Sequence, residues 1–163
     1  MTYIENVDKS LIKIIPQIGK IEWIGVRTKK KGAVQILESV FVKKESGLEG
    51  DHFKGISSGK RQVTIIQMEH LQTVAKILGR KNIDPELTRR NIVVSGINLL
   101  SLKDQKFRIG EVILETTGIC APCSLMETNL GKGGYNVMRG HGGITTKVIS
   151  EGKLELGDKV KIL

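Results

Sequence analysis

Cysteine is nearly absent from this chain: Cys120 and Cys123 are the only two in 163 residues. Two cysteines cannot build a disulfide scaffold. Aromatic residues are scarce as well, at 4%. One Trp, two Tyr and three Phe, spread along the chain, offer no stacking platform of the kind single-stranded nucleic acids need. No apolar run approaches the roughly 20 residues that span a bilayer. The opening stretch MTYIENVDKSLIKIIPQIGK mixes charge with short apolar runs, so no secretory h-region is visible. Together these absences predict a cytoplasmic chain with no membrane partner. In that reducing setting a C-x-x-C is more often metal-binding or catalytic than a disulfide. Prolines number three against nineteen glycines, a balance that suits short strands joined by tight turns.

What is present fits one globular domain. Hydrophobic residues make up 39% and charged residues 26%, ordinary values for a soluble fold long enough to bury its own core. The net charge of +9 suits an anionic partner, either nucleic acid or a phosphate-bearing small molecule. Most of the cations are dispersed lysines, however. Their one run, TKKKG at 28–32, reads as a solvated hairpin tip. Nucleic acid is therefore not the expected partner.

Residues 20–27 and 33–42 read as strands joined through TKKKG, an N-terminal hairpin. Residues 43–61 are polar and glycine-rich, too long and too patterned for a mere turn. A short strand is predicted over 61–67. From Met68 the period changes: Met68, Leu71, Val74, Ala75 and Leu78 share a helical face, and Gly79 closes it. Asp84-Pro85 predicts an N-cap and first helical position for a short helix to about Arg89. Further strands are expected at 91–97 and 107–118, the second a strand pair or one bent strand. A glycine-rich loop is expected over 129–143. The end of the chain reads as two strands around SEGK, with LGD a turn. The expectation is a mainly β, barrel-like single domain with one or two short helices.

Three polar islands carry chemistry. In GLEGDHFKG (47–55) a glycine bend precedes Asp51 and His52, where the carboxylate can set the imidazole tautomer or accept a proton. The plainer reading is a surface loop with a turn-forming Asp. In TRRNIVVSG (88–96) Arg89, Arg90 and Asn91 stand between a short helix and an apolar strand. Arginine forks there suit phosphate, and Asn adds an amide. Helix-end arginines answering the helix dipole are the plainer reading.

The third island is GICAPCSLMET (118–128) with MRGHGG (138–143) behind it. Pro122 inside the C-x-x-C excludes a central strand or the middle of a helix. A bend at a strand end would leave Cys123 free to face a cavity. Structural zinc requires four ligands, and His52, His70 and His141 lack the usual paired spacing. A thioredoxin-like pair wants the start of a helix in a βαβ setting, whereas a β-rich chain precedes this motif and a glycine-rich loop follows it. Periodicity leaves buried core filler open.

Taken in order, GLEGDHFKG, RQVTIIQMEHL, TRRNIVVSGINL, FRIGEVILETTGICAPC, GHGG and GDKVKI resemble the MOSC domain, the module named after the C-terminal part of molybdenum cofactor sulfurase. The succession R-x-N-I-V-V-S-G, I-G-x-V-x-L and C-x-x-C is the specific part. The resemblance covers roughly residues 20–163, leaving a short N-terminal extension over 1–19 of a single domain spanning 1–163. It implies a β-barrel-like fold and binding of molybdenum cofactor (molybdopterin), a pterin dithiolene with a phosphate tail.

In that family one cysteine binds the metal or carries sulfur, and Cys123 matches it. Arg89 and Asn91 match the positions expected to hold the cofactor. A thiolate suits a soft transition metal, and guanidinium and amide groups suit a phosphate and a pterin. Arg61 and Arg139 are further candidates for anion contact. Similar small MOSC proteins imply reduction of N-hydroxylated compounds such as hydroxylaminopurines or amidoximes. N–OH to N–H consumes two electrons and two protons, so Asp51 or His52 would assist proton delivery. No flavin, haem or iron–sulfur motif is visible, so an external reductase would supply the electrons. Amidoxime-reducing two-domain relatives carry an extra N-terminal domain over the cofactor, which leaves completion of the site to a partner protein or a homodimer. Two alternatives remain: a carrier that passes a persulfide or cofactor to a cofactor-handling protein, and a basic binding module with a structural cysteine pair.

Overall fold

In the computed structural model, residues 8–52 and 59–163 are described; parts of the expected N-terminal extension (1–19) and of the expected polar loop (43–61) lie outside them. Strands β1 (Gly19–Val26), β2 (Gln35–Leu37), β3 (Ser39–Lys43), β4 (Gly47–Leu48) and β5 (Val63–Gln67) come first. Helix α1 (Met68–Ile77) leads into β6 (Ile92–Ser95), β7 (Lys106–Ile109) and β8 (Val112–Ile119). Helices α2 (Ser124–Leu130) and α3 (Gly134–Met138) precede β9 (Ile144–Ser150), β10 (Gly152–Glu155) and β11 (Lys159–Ile162).

Seven of these strands close into a barrel in the order β11-β7-β8-β9-β5-β6-β1, with β11 returning to pair with β1. The closing register sets Gly19 opposite Val160 and Lys20 opposite Lys159. Strand β2 pairs with the far half of β1 as the predicted hairpin. The sheet β10-β3-β4 adds Val40, Val42, Leu48 and Leu154 to the barrel core. That core alternates along β7 and β8: Phe107 and Ile109 in β7, Val112 and Leu114 in β8, face inward while their neighbours face out, as the two-residue strand period requires.

Strands β5 and β6 break the alternation, and their sequence says why. VTII and IVV are buried on both faces. Their pairing is parallel, which demands a crossover, and α1 provides it. A second core, formed by Ile66 and Val93 with Leu71, Val74, Met126, Leu130 and Met138, lies between these strands and all three helices. Gly79 at φ 67° ends α1: its N–H reaches Lys76 O and the next N–H reaches Ala75 O, a glycine-capped terminus.

The structure corrects several expectations. Residues 33–42 form two strands, β2 and β3, broken at Glu38. The Asp84-Pro85 segment is a 3-10 turn over Pro85–Thr88, and the Asp84 side chain makes no cap hydrogen bond. The chain ends in three strands, β9 to β11, rather than two. The loop expected over 129–143 contains the end of α2 and all of α3, so among the described residues the α-helices number three. Helix α3 forms despite its glycines because Glu127 organises its start. That carboxylate accepts from Gly133 N at 2.7 Å and Tyr135 N at 2.9 Å, and these bonds hold it below the usual carboxylate range.

Candidate functional site

A cleft of about 230 Å³ opens where several strand ends converge. It is lined by Arg27, Asp51, His52, Arg61, Gln62, Thr64, Arg89, Arg90, Asn91 and Cys123. Arg27 follows β1, Asp51 and His52 follow β4, and Arg61 and Gln62 precede β5. Arg89 to Asn91 precede β6, and Cys123 opens α2 after β8. Six of the seven predicted site residues thus share one cavity.

Asn91 organises the middle of it. Its Oδ1 accepts from the N–H and the hydroxyl of Thr64, both at 3.1 Å, and its Nδ2 donates to Asp51 Oδ2 at 3.3 Å. Asp51 Oδ1 accepts from Arg27 N at 2.9 Å. His52 Nδ1 lies 3.2 Å from Arg27 O and 3.7 Å from Asp51 Oδ1. A bond from Nδ1 to a carbonyl requires the proton on Nδ1, so Nε2 is the nitrogen left to exchange one.

The arginines define the charge. Arg89 has left-handed backbone, φ 60° and ψ 29°, and its Nη2 donates to Lys30 O at 3.0 Å. That bond fastens the TKKKG loop to the rim. Arg27 Nη2 donates to Glu86 O at 2.6 Å. Burial, and then the Arg89 charge, push the Arg27 pKa down, while Asp51 and Glu86 act against the shift. Arg61 Nη2 donates to Cys120 Sγ at 3.2 Å. Four guanidiniums face one carboxylate here, so the cleft favours an anion.

The two cysteines separate. Cys120 is fully buried and Cys123 exposed. Pro122 bends the chain after β8, and Cys123 becomes the N-cap of α2 with no side-chain cap hydrogen bond. The pair therefore does lie at the start of a helix, where a glycine-rich loop was expected. The loop behind it packs flush. Cys120 N donates to Gly143 O at 2.8 Å. A Cβ on Gly142 would collide with Cys120 O, and one on Gly143 with Ile65 O, which is the physical reason for GHGG.

Arg139 is not among the cleft residues: it is exposed at the C-terminal end of α3. The helix, unforeseen in the sequence, carries it there. Sequence reasoning in turn missed Arg27, Gln62 and Thr64, and named Arg90 only with its neighbours in the TRRN island, without a site role of its own. Polar 62 and 64 inside the apolar run RQVTII were a legible signal for a polar wall. Gln62 is structural. Its Nε2 donates to Lys44 O and its Oε1 accepts from Val148 N.

Among the described residues no group of three or more His, Cys, Asp or Glu could hold a metal ion, and no helix is long and apolar enough to cross a membrane. No curated protein matches the chain at a significant level. Solved structures do. YuaD from Bacillus subtilis is similar at a TM-score of 0.78 and 19% identity, over 91% of this chain and 98% of that one. YiiM from Geobacillus stearothermophilus is similar at 0.68 and 16%, over 89% and 75%. YiiM from Escherichia coli is similar at 0.67 and 16%, over 88% and 69%. At these identities the likeness speaks for the fold. The family model described as MOSC domain matches residues 28–161. That match spans most of the sequence and contains every cleft residue except Arg27, and the chain belongs to the MOSC domain family.

Proposed function

We propose that the cleft holds molybdenum cofactor and that the protein reduces N-hydroxylated compounds with electrons from a separate reductase. One observation carries this reading: an exposed Cys123 thiol stands on the wall of a four-arginine cleft in a MOSC chain. The donor set fits the group. One thiol, with no cluster of protein ligands among the described residues, suits a metal that brings most of its own ligands. Guanidiniums suit the cofactor's anionic tail.

The molybdenum cofactor, when bound, supplies two-electron redox chemistry. Cys123 would ligate the metal. Arg89, Arg27 and Arg61 would bind and orient the anionic part, Arg89 from a backbone already committed to the rim. Asn91 keeps one N–H beyond its bond to Asp51 and would use it on the cofactor. Of the two acid candidates, His52 is better placed to deliver protons. Both Asp51 oxygens already accept bonds, from Arg27 and Asn91, so Asp51 holds the site together and His52 Nε2 exchanges the proton.

Metal analysis of protein made in a molybdenum-competent host tests this. About one metal per chain is expected, lost in Cys123→Ala. The exposed, uncapped Cys123 also favours a second reading, a persulfide carrier. Stoichiometric sulfane sulfur without metal would select that. Neither metal nor labile sulfur, together with salt-sensitive nucleic-acid binding, would sink both and leave a basic binding module.

A further inference from the structure

Arg90 is the only charged side chain among the buried residues of the described chain, 3% exposed. No carboxylate pairs with it among the described residues. Instead its fork is shared by backbone carbonyls of three segments. Nε donates to Gly142 O at 2.8 Å and Nη1 to Thr88 O at 2.8 Å. Nη2 donates to Cys120 O at 3.3 Å and Ala121 O at 3.5 Å.

A buried guanidinium without a counter-ion is costly. An arginine that merely closes a helix could answer the dipole from solvent. Here the planar fork joins the turn before β6, the Cys120–Ala121 bend and the Gly142 loop. Beyond this fork, the bend is held by Arg61 Nη2, which donates to Cys120 Sγ at 3.2 Å, and by few backbone bonds. Pro122 has no N–H to give, and Cys120 contributes a single backbone bond to Gly143. The residue that ends this bend is Cys123.

We propose that Arg90 is a positioning residue for Cys123: it fixes the bend that presents Cys123 to the cleft and keeps Cys120 shut inside. The clamp stands apart from the proposed reaction, since it rests on the fold of the bend whether the thiol holds metal, sulfur or neither. Lysine cannot replace it, because a compact ammonium cannot span carbonyls of three segments.

Iodoacetamide labelling of the native full chain, read by intact mass, counts open thiols. Wild type should take at most one label in the native state, at Cys123 wherever that thiol carries no metal, and the Cys120 label only on denaturation. Arg90→Lys keeps the charge and should admit the second label to the native protein about tenfold faster or more, the local opening expected when charge-assisted bonds are lost. Gly142→Ala attacks the same clamp from the other side and should do likewise; it carries the test if Arg90→Lys does not fold. Val160→Ala, in the barrel core on β11 and compared at equal loss of stability in urea, should leave Cys120 closed. Rates at the wild-type level in both clamp variants overturn the proposal, as does equal opening in Val160→Ala. Failure of both clamp variants to fold also overturns it, since Arg90 would then hold the domain and not the bend.

Discussion

Asn91 Nδ2 and Asp51 Oδ2 meet at 3.3 Å, tying the residue before β6 to the loop after β4. The Asn91 carbonyl is fixed by two donations from Thr64, so the amide cannot turn round. Asn91→Asp would set two carboxylates face to face. Relative to wild type it should cost about 1–3 kcal/mol at pH 8. The difference should shrink toward pH 4, where one carboxyl protonates and donates. Urea unfolding of both proteins at the two pH values measures it.

Arg89 holds a left-handed backbone at φ 60°, a conformation that disfavours most side chains and suits Asn. Arg89→Asn relieves the backbone but gives up the bond to Lys30 O and one cleft cation. Its stability should stay within about 1 kcal/mol of wild type, while stabilisation by added phosphate falls. Thermal unfolding with and without phosphate separates the two effects.

The cysteines should show opposite signatures. Cys120→Ala opens a small void in the core and removes the acceptor of Arg61, at about 1–2 kcal/mol, with metal content largely kept. Cys123→Ala should leave stability nearly unchanged and lose the metal. Urea unfolding and metal analysis on both variants check this; a Cys120 variant that also emptied the site would assign the ligand wrongly.

His70 on α1 packs edge-on against His141, with ring centroids 5.1 Å apart, and its Nδ1 is buried without a partner. Burial, and then the nearby His141, push its pKa below 6.5, with Glu69 opposing. Below that ordinary value the unfolded chain binds more protons at this site than the folded one, so the site lowers stability as pH falls. Stability should therefore drop between pH 7.5 and 5.5. His70→Phe keeps an edge contact and cannot titrate, and should flatten part of that drop in urea unfolding.

Much of the architecture was legible because its signals are local. The hairpin through TKKKG, the apolar face of α1 and its Gly79 stop need only near neighbours. Helix α3 was illegible because its support is a side chain seven residues ahead of Gly134: Glu127, by bonding Gly133 and Tyr135, overrides a glycine-rich composition. The same miss carried Arg139 to the wrong place. In the site, residue types raised Asp51, His52 and the arginines of TRRN, and the MOSC resemblance singled out Cys123, Arg89 and Asn91. Spacing could not name Arg27 or give Arg90 its buried part, because both depend on carbonyls brought from distant segments. No pattern in TRRN says that one arginine lines a rim while the next is buried.

Closure of the barrel through Gly19 and Val160 has a consequence for biosynthesis. Every cleft residue has left the ribosome once Cys123 emerges, yet the strand that seals the barrel, β11, comes some forty residues later. Until then β1 and β7 present open edges, the kind that pair with other nascent chains. Contacts across so long a span also make closure slow. A translation intermediate stalled before residue 159 would hold the whole set of site residues on an unsealed sheet.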